Sequence, residues 1–537
     1  MDLIGLFKEN LLTILILLPV FGAISLIGHQ MFWKKEGQAK WVTLFFVVIN
    51  FVISLLLLGS QTTSANGFSF EQNIPWIKAI NTNYHVGVDG LSIWLVILTT
   101  FIMPIAVIST WNAVEKRHTA FYAFLLLLQS AMIGVFVSLD LLVFYLFFEA
   151  SLIPMFFLIG IWGGENRIYS AVKFFIYTAL GSLLMLVAII SLFYLQAQAT
   201  GTGSFDFVTI LNTMQSGKLV LGATAGALIF WAFAIAFSFK VPLFPFHTWL
   251  PDAHTDAPTA GSVVLAAVLL KMGTYGIMRF CFTLFPEASR EYAYIFIILA
   301  IIGIIYGALV AMVQPDIKRL VAYSSVSHMG FVMLGMFSFT EMGMQGALYQ
   351  MLNHGISTGA LFLLVGFIYE RRHTREITEY GGLAGVMPLY ATIFVITTMS
   401  SIGLPFLNGF VGEFLTMIGM WNSNSISHPW IATMFAGTGV IFAAVYLLWM
   451  VQRVFFGKVT NAKNKKLSDL SWREIGLIAP LVILMVFMGV YPKPFLERSK
   501  ESIVAIETRL TKQAGGSITE KADTKPKTAA TADHSGH

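Results

Sequence analysis

Thiol is nearly absent from this chain. Cys281 is the one cysteine in 537 residues, which excludes a disulfide framework and any iron–sulfur cluster held by cysteines of this chain. No glycine-rich dinucleotide fingerprint and no P-loop occurs, so no nucleotide site is expected. Charge is scarce as well. Asp, Glu, Lys and Arg make up 11% of the residues against 57% hydrophobic ones, a balance foreign to soluble globular domains. The small excess of base, a formal net charge of +5, comes from loops and tail. It therefore bears on membrane orientation and not on nucleic acid.

What is present is a series of apolar runs separated by polar loops. They give about fourteen spans, each near the ~20 residues that a membrane helix needs. The first is too long and too weakly basic at its start for a cleaved signal peptide, so a retained first helix is expected. From about residue 510 the composition turns to Lys, Thr, Ala, Asp and Gly, ending in "KADTKPKTAATADHSGH". That segment is too polar to pack and is expected to be disordered. Its terminal His pair is too short and mobile to claim a metal.

Basic residues gather in alternate loops. One side carries Lys34, Lys35, Lys40, Lys116, Arg117, Lys318, Arg319, Arg371, Arg372, Arg375 and the stretch from Arg453 to Arg473. This is a positive-inside signal. With an even number of spans, both termini are expected on the outer side.

Four ionisable side chains interrupt the apolar runs: Glu149, Lys240, Lys271 and Glu413. A charge at the centre of a membrane helix costs roughly 2.5–3.5 kcal/mol on insertion scales, so each needs a reason beyond packing. Glu149 stands nine residues beyond Asp140 and Lys271 has apolar or small residues on both sides, so neither snorkels easily. Lys173, six residues past Arg167, is better read as a side chain reaching the interface. Acids and bases buried at mid-depth suit pairing, hydration and proton exchange. An isolated buried lysine is driven toward neutrality, and a nearby carboxylate favours its charged form. Opening a Glu149–Lys240 pair would thus release a proton toward Lys271, and closing it would restore the affinity.

Two spans carry breaks. Pro242 and Pro245 follow Lys240, and Gly403, Pro405, Gly409 and Gly412 precede Glu413. Proline removes a donor and clashes with the preceding turn, so freed carbonyls must find water or side chains. Two interrupted helices in corresponding halves of a chain are also the mark of an inverted-repeat transporter. Proline kinks that merely shape packing are the plainer alternative, weakened by the buried charge beside each break.

The histidines are more ambiguous. His328 and His354 fall inside spans, near Ser324, Ser325, Ser327 and Asn353, and an imidazole titrating near neutrality suits a relay. A core histidine bonded to a neighbouring helix is the competing reading. His247 and His254 flank Asp252 after the first break. They suit proton feed into the lysines or backbone capping better than a zinc site.

The stretches "LLVFYLFFEASLIPMFFLIGIWG", "KVPLFPFHTWLPDAHTDAPTAGSVVLAAVLLKMGTYG", "QPDIKRLVAYSSVSHMGF" and "GLPFLNGFVGEF" resemble the antiporter-like membrane subunits of respiratory complex I. The likeness runs to about residue 500. Glu413 falls where sister subunits L and N, and the related sodium/proton antiporter subunits, typically carry Lys, so the resemblance is nearest to the acid-bearing type. Subunit L also has a long lateral helix after its core, for which this chain has no sequence.

The resemblance implies an all-α integral membrane protein with two inverted five-helix repeats. The expected division is 1–118 for helices 1–3, 119–284 for the first repeat, 285–457 for the second, 458–509 for a loop and helix 14, and 510–537 for the tail. It implies proton translocation through Glu149, Lys240, Lys271 and Glu413, with His328, His354 and His254 as relay candidates, along an axis parallel to the membrane plane. No cofactor is expected in this chain, and NADH, FMN, iron–sulfur clusters and quinone are expected in partner subunits. The expected partners are other complex I membrane subunits, especially L and N, in a bacterial inner membrane. The alternatives are a subunit of a multisubunit sodium/proton antiporter or of an energy-converting hydrogenase.

Overall fold

A computed structural model describes residues 3–33, 36–59 and 67–512. Lys34, Lys35 and the polar tail beyond residue 512 lie outside the described residues. Among those described, eleven helices are long and apolar enough to cross a membrane, and two shorter apolar helices, Ile93–Ser109 and Pro388–Ile402, accompany them. The faces they turn outward are apolar. On the helix Arg167–Thr200, for instance, Ile176, Leu180, Leu183, Val187 and Ile190 are all exposed. Such a stripe suits hydrocarbon and not water.

The elements that matter for the site are Leu141–Ala150 (α1), Arg167–Thr200 (α2), Ala223–Lys240 (α3), Trp249–Asp256 (α4), the continuous run Thr259–Leu284 (α5), Ile317–Met336 (α6), Glu341–Arg372 (α7), Pro388–Ile402 (α8) and Asn408–Trp421 (α9). Their starts are written in the sequence. The Asp140 carboxylate accepts from the N–H groups of Leu142 and Val143, Asp316 does so for Lys318 and Arg319, and the Thr340 hydroxyl accepts from Gly343 N–H. Each such cap is worth about 1 kcal/mol. Two helices have no outward face: α5 and α7 are buried along their whole apolar stretch. They pack on each other, and α6 and α9 pack on α7.

Both expected breaks are present. The first separates α3, which ends at Lys240, from α4, and the carbonyl freed at Phe239 accepts from Trp249 Nε1–H at 2.9 Å. The second separates α8 from α9. Gly403 ends α8 in the left-handed region at φ 88°, a conformation that glycine adopts without penalty. Here the Asn408 carbonyl accepts from Asn353 Nδ2–H at 2.7 Å.

The basic loops knit together at one end. Arg371 makes a bidentate pair with Glu474 at 2.6 and 2.7 Å, and Arg375 bonds both Asp316 and the Thr255 carbonyl.

Two elements depart from the expected all-helical chain. Ser69–Ile77 (β1) and Thr82–Val88 (β2) pair as an antiparallel hairpin. Asn81 makes its turn possible by adopting a left-handed conformation at φ 49°, which Asn tolerates better than most residues. Beyond the last apolar helix, Lys493–Lys512 (α10) continues as a helix. Residues 510–512, expected in the tail, belong to it, and Leu510 is buried with its carbonyl bonded to Arg290.

The hairpin is held by a buried imidazole. His85 Nδ1 meets Asp206 and its Nε2 meets Glu71 at 2.9 Å. Burial alone would push the His85 imidazole down, but the Asp206 and Glu71 carboxylates outweigh it and hold its pKa above the usual 6.5. Burial would raise Asp206, and His85 with Thr209 holds it below the usual 3.8. Beside it, burial pushes Asp140 up to about 6, against backbone N–H bonds that favour its charged form. A raised histidine contributes stability that is fully present below its unfolded value and lost as pH climbs through the folded one. A lowered aspartate contributes stability that is lost as pH falls through its folded value. The clamp is therefore strongest between the ordinary aspartate and histidine values. Protection of residues 69–88 from proteolysis should be greater near pH 5.5 than near pH 9, and this difference should vanish in His85→Phe. Equal wild-type protection at both pH values would show that the clamp is not electrostatic.

Candidate functional site

Lys271 sits at the middle of α5 between two π-helical turns, Leu265–Leu269 and Ile277–Cys281. A π turn displaces the regular carbonyl ladder, and such turns recur at functional sites. Lys271 is fully buried, and its Nζ–H groups donate to the Ala266 carbonyl and, at 2.7 Å, to His354 Nδ1 on α7. His354 Nδ1 also lies 3.2 Å from the Ala266 carbonyl, to which it donates in the Nδ1–H tautomer, while Nε2 is buried without a partner.

The opposite end of this line is Glu413 on α9. His328 Nδ1–H, from α6, donates to Glu413 Oε1 at 2.8 Å, and Gln350 Nε2–H, from α7, donates to the same oxygen at 3.0 Å. The Ser401 hydroxyl lies 3.2 Å from His328 Nε2 and donates to it when Nδ1 carries the proton. Gly412 permits the close approach behind this contact, because a Cβ there would lie 2.4 Å from Gln350 Oε1 and 2.6 Å from Asn353 Nδ2. The rings of His328 and His354 stand 5.9 Å apart, centre to centre, with no hydrogen bond between them. Lys271, His354, His328 and Glu413 thus form two hydrogen-bonded pairs facing each other across one gap.

Lys240 and Glu149 are arranged differently. Lys240 is buried at the C-terminus of α3 with no hydrogen bond, its ammonium over the rings of Phe148 at 5.0 Å and Phe174 at 5.7 Å. Aromatic faces attract a cation but accept no proton. Glu149 is half-buried on α1, and its Oε1 is buried without a partner. No ion pair joins the two: the pair expected from the sequence is open in this structure.

His254 is fully buried and stacked on Phe362 at 4.4 Å, both ring nitrogens without a partner. His247 packs against Phe244 and Tyr306. Asp252 is held by Lys173 at 2.6 Å and Arg319 at 3.2 Å, so Lys173 is paired with an acid beside the basic loops. Among the described residues no group of three His, Cys, Asp or Glu side chains is placed to hold a metal, and His247, Asp252 and His254 do not converge as one.

Sequence reasoning missed Gln350 and Ser401, and it did not foresee the π turns. Gln350 was detectable, since Gln350, Asn353, His354 and Ser357 recur at helical spacing within an otherwise apolar run. The π turns carry no comparable signal.

The family of NADH:quinone oxidoreductase/Mrp antiporter transmembrane proteins matches residues 138–442, which contain Glu149, Lys240, Lys271 and Glu413 and the histidines His254, His328 and His354. NADH-quinone oxidoreductase subunit M of Rhodobacter capsulatus is 47% identical over 493 residues, covering 90% of this chain and 94% of that protein. Among solved structures, a chain of respiratory complex I from Thermus thermophilus with bound NADH is similar with a TM-score of 0.82 and 32% identity, covering 93% of this chain and 99% of that one. The Mrp complex from Dietzia sp. contains a chain that shares the fold, with a TM-score of 0.75 at 21% identity over 93% of this chain and 52% of that one. With its apolar helices and buried charges, this chain belongs to the NADH:quinone oxidoreductase/Mrp antiporter family of multi-pass membrane proteins, and within it to the NADH-quinone oxidoreductase subunit M family.

Proposed function

We propose that this chain is a proton-translocating membrane subunit of an NADH:quinone oxidoreductase, with the electron transfer and its NADH, FMN, iron–sulfur clusters and quinone housed in partner subunits. The observation that carries the reading is the buried line from Lys271 through His354 and His328 to Glu413. Each member can hold a proton, each is buried, and the one gap is of a size that ring rotation or a single bridging water closes.

In this mechanism Glu149 and Lys240 set the load. Glu149 is half-buried on the outer face of the bundle, where a neighbouring subunit of type L or N can alter its charge or position. When Glu149 closes on Lys240, the lysine holds its proton. When the pair opens, the proton moves to Lys271, then across the imidazoles to Glu413 and out. His254, near the basic end of α4, feeds the line. The fourteen spans, the two inverted repeats at 119–284 and 285–457, the outward termini and the bacterial inner membrane complete the proposal. The clustered basic loops support that orientation. The antiporter alternative shares the fold, but the acid at Glu413 and the close likeness to subunit M favour the redox-driven pump.

The test uses the charge pair. Glu149→Gln and Lys240→Ala should leave the protein inserted, because each removes a charge whose burial was itself costly. Quinone-linked turnover and proton pumping in vesicles should fall together, roughly tenfold or more, since a positioned proton-transfer group contributes at least that much. Wild-type pumping in both variants would remove the pair from the mechanism.

A further inference from the structure

At the end of the bundle opposite the basic loops, the C-terminal helix α10 packs against the end of α5. A cavity of about 320 Å³ lies in this joint, lined in part by Asp89, Leu211, Arg279, Ser502, Ile506 and Arg509. Two guanidiniums meet there with unequal satisfaction. Arg279 is buried and paired with Asp89 at 2.5 Å, and its Nε–H donates to the Tyr275 hydroxyl at 3.2 Å. Asp89 is further engaged by the N–H groups of Leu91 and Ser92. Among the described residues Arg509 has no ion-pair or hydrogen-bond partner, although its Nη1 is buried. Burial and the nearby Arg279 charge hold its guanidinium below the ordinary value.

An unpaired guanidinium beside a second one, in a lined cavity, is a costly arrangement unless an anion completes it. Glu501 also borders the cavity. It stands eight residues before Arg509 on α10, about 12 Å along the helix axis, and forms no salt bridge with it. The fork of Arg509 matches the oxygens of a phosphate group, which can accept from both guanidiniums at once. The cavity is larger than free phosphate needs, and Leu211 and Ile506 give it an apolar wall.

We propose that this joint is a binding site for a phosphate group, supplied either by an anionic phospholipid or by free inorganic phosphate, with Arg509 as its principal donor. The site pins α10 to α5 and does not take part in proton transfer. Because no described residue pairs with Arg509, Arg509→Gln should fold as wild type does.

The full-length chain, purified in detergent and stripped of lipid, is titrated in two arms. One arm adds inorganic phosphate against chloride at equal ionic strength, and the other adds phosphatidylglycerol against phosphatidylcholine in mixed micelles. Thermal unfolding is the readout. Wild type should be stabilised in one arm, with apparent affinity reduced about tenfold or more in Arg509→Gln and partly kept in Arg509→Lys, because a point charge survives without the fork. A shift with phosphate alone assigns the free ion, and a shift with phosphatidylglycerol alone assigns the lipid headgroup. Should Arg509→Gln fail to fold, Arg509→Lys decides by the same comparison. Titrations unchanged by the substitution in both arms, or no shift in wild type, overturn the proposal.

Discussion

Glu413→Gln should abolish most proton-coupled turnover while the protein still inserts and packs. The amide can keep the contact with Gln350 and fills nearly the same volume, but it cannot take a proton at working pH. His328 Nδ1 would face an oxygen or an amide nitrogen in place of a carboxylate, so the only group at this end of the line able to take up and release a proton from its imidazole partner is gone. The loss should be on the order of tenfold to hundredfold in pumping, in keeping with the removal of a positioned acid–base group. Glu413→Asp should keep part of the activity, since the titrating group survives with its reach shortened by one methylene. If the Gln and Asp variants pump equally well in vesicles, Glu413 is structural and has no mechanistic role.

Lys271→Met should have an effect at least as large. Methionine preserves the length and much of the volume of the side chain, so α5 can still pack at its fully buried position. What is lost is the ammonium that joins the Ala266 carbonyl to His354. His354 is then left with neither nitrogen bonded to a proton donor, and the line loses its first member. Turnover coupled to pumping should fall roughly hundredfold, with assembly confirmed by co-purification of the partner subunits. Lys271→Arg should not restore it, because a guanidinium does not release its proton at working pH. Pumping at the wild-type ratio in Lys271→Met would exclude the central line altogether.

The breaks and the buried charges were legible in the sequence because they violate a strong rule. Proline and glycine beside a lysine or a glutamate inside an apolar run have few explanations, and α3 and α8 end where those residues predict. Partnerships were not legible. Nothing in the spacing of His328 and Glu413, or of Lys271 and His354, says that they touch, because each contact joins two helices far apart in the chain. The open state of Glu149 and Lys240 was equally hidden, since a sequence gives the charges but not the aromatic faces of Phe148 and Phe174 that one of them occupies. The hairpin escaped for a different reason. Its buried residues are interrupted by polar ones and by Pro75, and its stability comes from a histidine clamped by distant carboxylates.

In the proposed proton line, the separation between the rings of His328 and His354 bears on efficiency as well as on conduction. A conductor left permanently connected between two reservoirs at different potential runs down the difference as fast as it was built. An interruption in the middle acts as a circuit breaker, so that an idle complex holds its charge. The fraction of time for which the imidazoles are bridged then sets the leak, and substitutions that widen or narrow that one spacing should trade speed against retention of the gradient.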